Sequence, residues 1–153
     1  MDMYWTVKEL LNASAGELIC DSEALCSRAS GISSDSRLLK VGEVFIALKG
    51  AKYNAHTFLK EAVSRGAVCL ISSYINEPFS VPVILVKDTT KTLGKLSAYH
   101  RNRFAVPVVA VTGSCGKTTV KELIAHLLSS KAYVLKSPGT QNNHVGVPST
   151  LLQ

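Results

Sequence analysis

The run "VPVVAVTG" (106–113), followed at once by "SCGKTTVKELIAHLLSSK" (114–131), constrains this chain more than any other feature. A nearly unbroken apolar run suits a parallel strand buried on both faces. After it, Val120, Leu123, Ile124, Leu127 and Leu128 recur at i, i+3, i+4, i+7 and i+8, the stripe of an amphipathic helix. "AYVLK" (132–136) reads as the next strand, so the segment predicts a βαβ unit. Between strand and helix lies a turn with two glycines, a lysine and two threonines.

That turn has the parts a phosphate site needs. Unpaired N–H groups of a first helical turn point at an anion, and the helix dipole adds positive potential there. Gly113 and Gly116 let the backbone approach phosphates without a Cβ in the way. The common pattern of Gly, four free positions and Gly-Lys-Ser/Thr would put a glycine at Val111. Val111 instead belongs to the strand, and the loop proper is Gly113, Ser114, Cys115, Gly116, Lys117, Thr118 and Thr119. Lys117 is expected to reach the β- and γ-phosphates of a nucleotide such as ATP, and the Thr118 hydroxyl to meet Mg²⁺. Cys115 is either a thiol activated by the helix end or a tolerated variable position.

Upstream, residues 1–86 read as a compact α/β unit, with residues 87–153 as a connector helix and the first βαβ unit of a second, incomplete domain. Thr6 is placed to cap an opening helix at about 6–13. "VFIAL" (44–48), "AVCLISS" (67–73) and "VPVILV" (81–86) are strand candidates, and "TFLKEAVSRG" is a helix stopped by Gly66. "TTKTLGKLSAYHRNRF" (89–104) predicts a helix with Leu93, Leu96 and Tyr99 inward and a solvated basic face outward, interrupted by Gly94. "GVPSTLLQ" reads as the start of one more helix, and a sheet this short would leave apolar surface uncovered. The chain is therefore expected to be the front part of a longer protein.

Charge and cysteines narrow the class. Seventeen basic residues against eleven acidic ones give a net charge of +6, which suits an anionic ligand without selecting nucleic acid. Cys20, Cys26, Cys69 and Cys115 have neither C-x-x-C spacing nor a histidine partner set, so zinc and redox readings lack support. No apolar stretch approaches the length of a membrane span, and the N-terminus lacks a signal-peptide core; a cytoplasmic location with no membrane insertion and no nucleic-acid partner is expected.

Three motifs carry a family resemblance. "TGSCGKTT" (112–119) is similar to the phosphate loop of the Mur ligases of peptidoglycan synthesis, T-G-(S/T)-x-G-K-(S/T)-(S/T). "ISSDSRLLKVGEVFIALKG" (32–50) resembles the first-domain block of the members adding the third residue and the terminal dipeptide. "GTQNNHVGVPSTLL" (139–152) looks like a segment of the member that adds D-alanyl-D-alanine. Asn54-Ala55 stands where the family often has Asp-Gly, Thr140 replaces an Asn, and Ser149 a Leu or Met.

The resemblance implies an α/β chain with a small UDP-binding domain followed by a parallel-sheet, ATP-binding domain. It implies an ATP- and Mg²⁺-dependent amide-forming ligase acting on UDP-N-acetylmuramoyl-tripeptide and D-alanyl-D-alanine through an acyl phosphate. Lys117 would stabilise charge in the reaction. Ser34, Asp35, Ser36 and Arg37, with Ala51, Lys52 and Tyr53, fall where relatives hold the uridine end of the substrate, and Asn142 and Asn143 are substrate candidates. The dipeptide site and further catalytic groups would lie past Gln153, so this span alone is expected to show no turnover. From the residues alone, "SSDSR" reads equally as a polar turn with an Asx cap, the two asparagines as a turn, and the four histidines as ordinary surface or packed residues. A sister ligase adding the third amino acid, a folate-polyglutamate type relative, a UDP-sugar-binding module and a generic phosphate-loop NTPase remain alternatives.

Overall fold

The computed structural model describes residues 4–19, 27–50, 53–139 and 141–153. Strand β1 (Trp5–Thr6) turns directly into helix α1 (Val7–Ser14). Thr6 starts that helix: its Oγ1 accepts from the Glu9 N–H at 3.1 Å while the Glu9 carboxylate accepts from the Thr6 N–H at 2.8 Å. This reciprocal capping box satisfies two donors that the first helical turn leaves without partners.

Six more strands follow: β2 (Glu17–Ile19), β3 (Arg28–Ala29), β4 (Ile32–Ser33), β5 (Val44–Ile46), β6 (Cys69–Ser72) and β7 (Val83–Leu85). β1 and β3 form a small antiparallel pair; the main sheet has the order β2-β7-β6-β5-β4. β4, β5, β6 and β7 run parallel, and β2 is antiparallel to β7 at one edge. A 3-10 turn (Ala55–Phe58) and α2 (Leu59–Ser64) lie between β5 and β6. The crossover ends at Gly66, whose φ of 94° is left-handed and whose absent Cβ would press on Val41. This is the C′ position expected for that glycine.

Alternation along the strands splits the core into two layers. Val44, Ile46, Cys69, Ile71 and Ile84 face a cluster containing Trp5, Leu10, Leu93 and Leu96. Phe45, Ala47, Leu70 and Val83 face Leu39, Leu59 and Ala62. Both faces are covered, which is why these strands read as apolar runs without polar alternation. Each such buried aliphatic or aromatic side chain contributes about 1.5–3 kcal/mol.

Helix α3 (Thr89–Arg101) is capped by Asp88, whose Oδ1 accepts from the Lys91 N–H at 3.0 Å. It packs against α1 and against α5 (Gly146–Leu151), while Val145 and Leu152 reach the Trp5 layer. Leu93 and Leu96 are buried as expected; Tyr99 is more exposed and stands beside Trp5 at 5.6 Å between ring centroids. The chain thus leaves the first unit after α3, runs through α4 (Lys117–Ser129) and comes back at α5.

Within that excursion the expected βαβ unit is only partly formed. α4 is present, but the segments 106–111 and 132–136 enter no strand ladder among the described residues. A strand exists only where a neighbour takes its N–H and C=O groups. Here the Arg101 guanidinium donates to the carbonyls of Phe104 at 2.5 Å and Val106 at 2.6 Å, and Pro107 has no N–H to offer. The apolar stripe of α4 is correspondingly uncovered: Val120, Leu123, Leu127 and Leu128 are exposed, and of the helix only Ala125 is buried.

Candidate functional sites

The residues expected to form a phosphate loop lie at the N-terminus of α4 (Lys117–Ser129). Gly113 has φ 150° and Gly116, the residue preceding the helix, φ 73°. No side chain caps this end. Because Val120 N–H is bonded to the Gly116 carbonyl at 2.9 Å, the N–H groups of Lys117, Thr118 and Thr119 precede the first intrahelical bond. A Cβ at Gly116 would meet nothing within 4 Å, so open space lies beside the turn at that residue. Gly113 to Gly116, Thr118 and Thr119 are exposed. The Lys117 ammonium donates to the carbonyl of Gly113, folding across its own loop. An anion in front of the helix offers that ammonium a stronger partner than a neutral carbonyl.

A second lysine, one turn on, was not singled out by the sequence. Lys121 Nζ donates to the carbonyls of Ser137 at 2.6 Å and Gly139 at 2.9 Å and pairs with Glu122 at 3.2 Å. Lys136 also pairs with Glu122. The Lys136 and Lys121 hydrogen bonds hold the Glu122 carboxyl below its ordinary value. α4 is thereby tied to the segment leading to Asn142 and Asn143. The Asn143 Oδ1 accepts from the N–H groups of Val145 at 3.1 Å and Gly146 at 2.8 Å, capping α5. Asn142 is exposed, and Thr140 lies outside the described residues.

The first block forms a second, separate cluster of candidate residues. Asp35 Oδ1 accepts from the Arg37 N–H at 3.0 Å, an Asx turn, and its carboxylate takes Nε at 2.9 Å and Nη2 at 2.7 Å. Ser33 Oγ closes the same turn on Asp35, and Ser36 is buried. Arg37's side chain is 80% exposed yet held by a two-point pair, so its remaining N–H groups face solvent in a fixed direction. The Arg37 hydrogen bond lowers the Asp35 carboxyl; that bond, and more weakly Tyr53, raises Arg37.

Topology explains why these residues meet. Ser34–Arg37 follows β4, Lys49, Gly50, Tyr53 and Asn54 follow β5, and Ser73 follows β6, so all stand at the carboxyl edge of the parallel strands. In open α/β sheets that edge is where ligands bind. Tyr53 is 79% exposed there, while Ala51 and Lys52 lie outside the described residues. No hydrogen bond or ion pair joins this edge to the phosphate loop among the described residues. Nor does a group of three or more His, Cys, Asp or Glu side chains converge among them, and no helix is long and apolar enough to cross a membrane.

His56 is the packed kind of histidine that the sequence reading allowed. It is buried, its ring stacks on Tyr74 at 4.5 Å, and both ring nitrogens are hydrogen-bonded. Its Asn54 partner is two residues away, whereas Ser73 and Tyr74 lie beyond the end of β6.

Residues 111–153 match the Mur ligase middle domain. The chain is 44% identical over 126 residues to the UDP-N-acetylmuramoyl-tripeptide–D-alanyl-D-alanine ligase of Haemophilus influenzae, covering 80% of this chain and 28% of that protein. Among solved structures it superimposes on MurF from Acinetobacter baumannii with a TM-score of 0.87 at 35% identity, over 98% of this chain and 33% of that one. MurF from Thermotoga maritima, solved in complex with ADP, gives 0.72 at 36% identity over 80% and 28%. The chain thus spans about a third or less of the length of these relatives.

Proposed function

Because the chain belongs to the Mur ligase family, we propose that it supplies the UDP-substrate and ATP-phosphate sites of a cytoplasmic ligase that joins D-alanyl-D-alanine to UDP-N-acetylmuramoyl-tripeptide. The observation that carries this reading is the uncapped α4 N-terminus, opening behind Gly113 and Gly116 with Lys117 across it.

In this reading residues 1–86 hold the UDP end and residues 87–153 begin the ATP-binding part. Arg37, oriented by Asp35, meets the UDP-bearing substrate at the carboxyl edge with Ser34, Ser36 and Tyr53. The N–H groups at the start of α4 bind the triphosphate, and Lys117 leaves the Gly113 carbonyl for its β- and γ-oxygens. A carboxylate oxygen of the tripeptide attacks the γ-phosphorus, ADP departs, and an acyl phosphate remains. The dipeptide amine then attacks the acyl carbon and expels inorganic phosphate. Lys117 offsets charge developing on the transferred group, the place where fixed positive charge is most effective. The exposed Thr118 hydroxyl beside the uncapped helix end fits a Mg²⁺ ligand; Mg²⁺ there would neutralise charge on the phosphate oxygens.

Calorimetry tests the reading. Binding of UDP-N-acetylmuramoyl-tripeptide that is lost on Arg37→Ala, and Mg-ATP binding lost on Lys117→Ala, are the expected results. No binding of any UDP ligand would sink the assignment of the first site. In the full-length enzyme, phosphate release driven by a third amino acid on the dipeptide-level substrate, rather than by D-alanyl-D-alanine, would favour the sister ligase.

A further inference from the structure

His56 sits at the start of the 3-10 turn, behind the bend that presents Tyr53. That bend is held at its base by the Leu48 carbonyl accepting from Ala55 N–H at 2.9 Å and the Tyr53 carbonyl accepting from Gly50 N–H at 2.8 Å. The imidazole connects it to the end of β6. Ser73 N–H, which can only donate, lies 3.1 Å from Nε2, so Nε2 carries the lone pair. The proton is then on Nδ1, which donates to Asn54 Oδ1 at 2.7 Å; the same oxygen accepts from His56 N–H at 3.2 Å. The other end of the Asn54 amide donates to the Tyr74 hydroxyl at 3.0 Å, and Tyr74 lies flat on the imidazole with 4° between the rings. Ring tautomer, amide orientation and stack each fix the next.

We infer that His56, with Asn54, is a positioning residue for the ligand edge: its neutral imidazole clamps Asn54 and the start of the 3-10 turn to the end of β6, and protonation at Nε2 releases them. A proton on Nε2 sets N–H against the Ser73 N–H, which has no way to become an acceptor. Only the Ser73 hydroxyl, 2.8 Å away, can turn to accept. The surroundings add no charge that would favour the cation. Lys49 opposes it from the bend; Tyr74 stacks uncharged; Lys60 on α2 and Glu77 beyond β6 line the adjoining cleft but pair with each other at 2.7 Å. Burial, the larger influence, acts the same way as Lys49.

Asn54 is what keeps the clamp neutral. A carboxylate at that position would hold the Nδ1 proton as an ion pair and favour the imidazolium at neutral pH. The ligand consequence rests on the proposed UDP site, but the clamp can be read without ligand.

The experiment is nitrogen-detected NMR of the histidine ring, with amide exchange of Gly50, Asn54 and Ser73, in the wild type, Asn54→Asp and His56→Phe, followed by UDP-ligand calorimetry across pH. The wild type should show the Nδ1–H tautomer, titrate below 6.5, and exchange these amides about tenfold faster once protonated. Asn54→Asp should move the midpoint above 6.5 and give the faster exchange already at neutral pH. His56→Phe keeps the stack and removes the proton site, so its exchange and its UDP-ligand affinity should be weakened but indifferent to the histidine's pH range. An Nε2–H tautomer, or amide exchange indifferent to His56 protonation, overturns the clamp. A UDP affinity unchanged through the His56 titration overturns its positioning role while leaving the site assignment intact. Clamp behaviour as expected with no UDP ligand bound at any pH supports the clamp and defeats the proposed UDP site instead.

Discussion

The ammonium of Lys121 lies 2.6 Å from the carbonyl oxygen of Ser137, on the same helix face and one turn beyond Lys117, and it closes the excursion of residues 105–145 onto α4. With few ladder bonds available in this region, that contact and its partner at Gly139 hold the approach to Asn143 in place. Lys121→Met should raise amide exchange across 141–146 by about tenfold, the equivalent of one charge-assisted hydrogen bond. The melting of the first unit should stay unchanged. Hydrogen exchange read by mass spectrometry checks both; unaltered exchange would show that the contact holds nothing.

If Lys117 binds the triphosphate as proposed, Lys117→Ala should weaken Mg-ATP binding by at least about tenfold, the loss of one charge-assisted bond. Far-UV circular dichroism should be unaffected, because the residue is at the first turn and alanine favours the helix.

Two glycines should respond in opposite directions to alanine. At Gly16 a Cβ would meet Ile84 Cγ2 at 2.6 Å and the Leu85 carbonyl at 2.7 Å, so Gly16→Ala should destabilise by roughly 1–3 kcal/mol. Gly94 is inside α3 with nothing within 4 Å of its missing Cβ, and Gly94→Ala should stabilise by about 0.5–1 kcal/mol. Urea melts of the two variants are the test, and equal signs would contradict the packing.

Thr6→Ala removes one half of the α1 capping box, the acceptor for Glu9 N–H, together with the hydroxyl bond to Glu9, and leaves the backbone half intact. A loss of about 1 kcal/mol is expected by chemical denaturation. The Glu9 carboxyl, held low mainly by the Thr6 backbone N–H, should keep part of its depression.

Acid should act in two windows. Burial lowers both His56 and His100, the latter stacked on Trp5 at 5.3 Å with Nδ1 unpartnered. As pH falls below 6.5 the unfolded chain binds these protons first, so stability is complete above 6.5 and declines from there toward the folded-state values. Glu9 and Asp35 are shifted the other way relative to their charged forms: both are lowered, so their contribution is present above 4.5 and 3.8 respectively and is lost as pH falls below those values toward the lower folded-state ones. Denaturation of wild type, His56→Phe and His100→Gln across pH should flatten the upper window in the variants and leave the lower one.

Much of this was legible along the chain. Thr6 and Glu9 announce α1 because a capping box spans four residues; Gly66 announces the end of α2 because a left-handed φ is a local property. The phosphate loop is local for the same reason. The Asx turn at Asp35 was equally readable, and it coexists with the exposed Arg37 that the ligand reading requires. The segments 106–111 and 132–136 show the limit. Their composition is that of buried strands, yet composition supplies no partner, and Arg101 holds the Val106 carbonyl instead.

The sequence by itself determined the glycine turn ahead of α4, the capped helices and the apolar strands of the main sheet, since each rests on contacts within about four residues or on the burial preference of a run. Only the tertiary structure decided that β2 pairs antiparallel with β7, that Arg37, Tyr53 and Ser73 share one edge, and that His56 spans seventeen residues to Ser73. Pairings between distant segments compete with many others of equal local energy, and only mutual burial of the whole sheet selects among them.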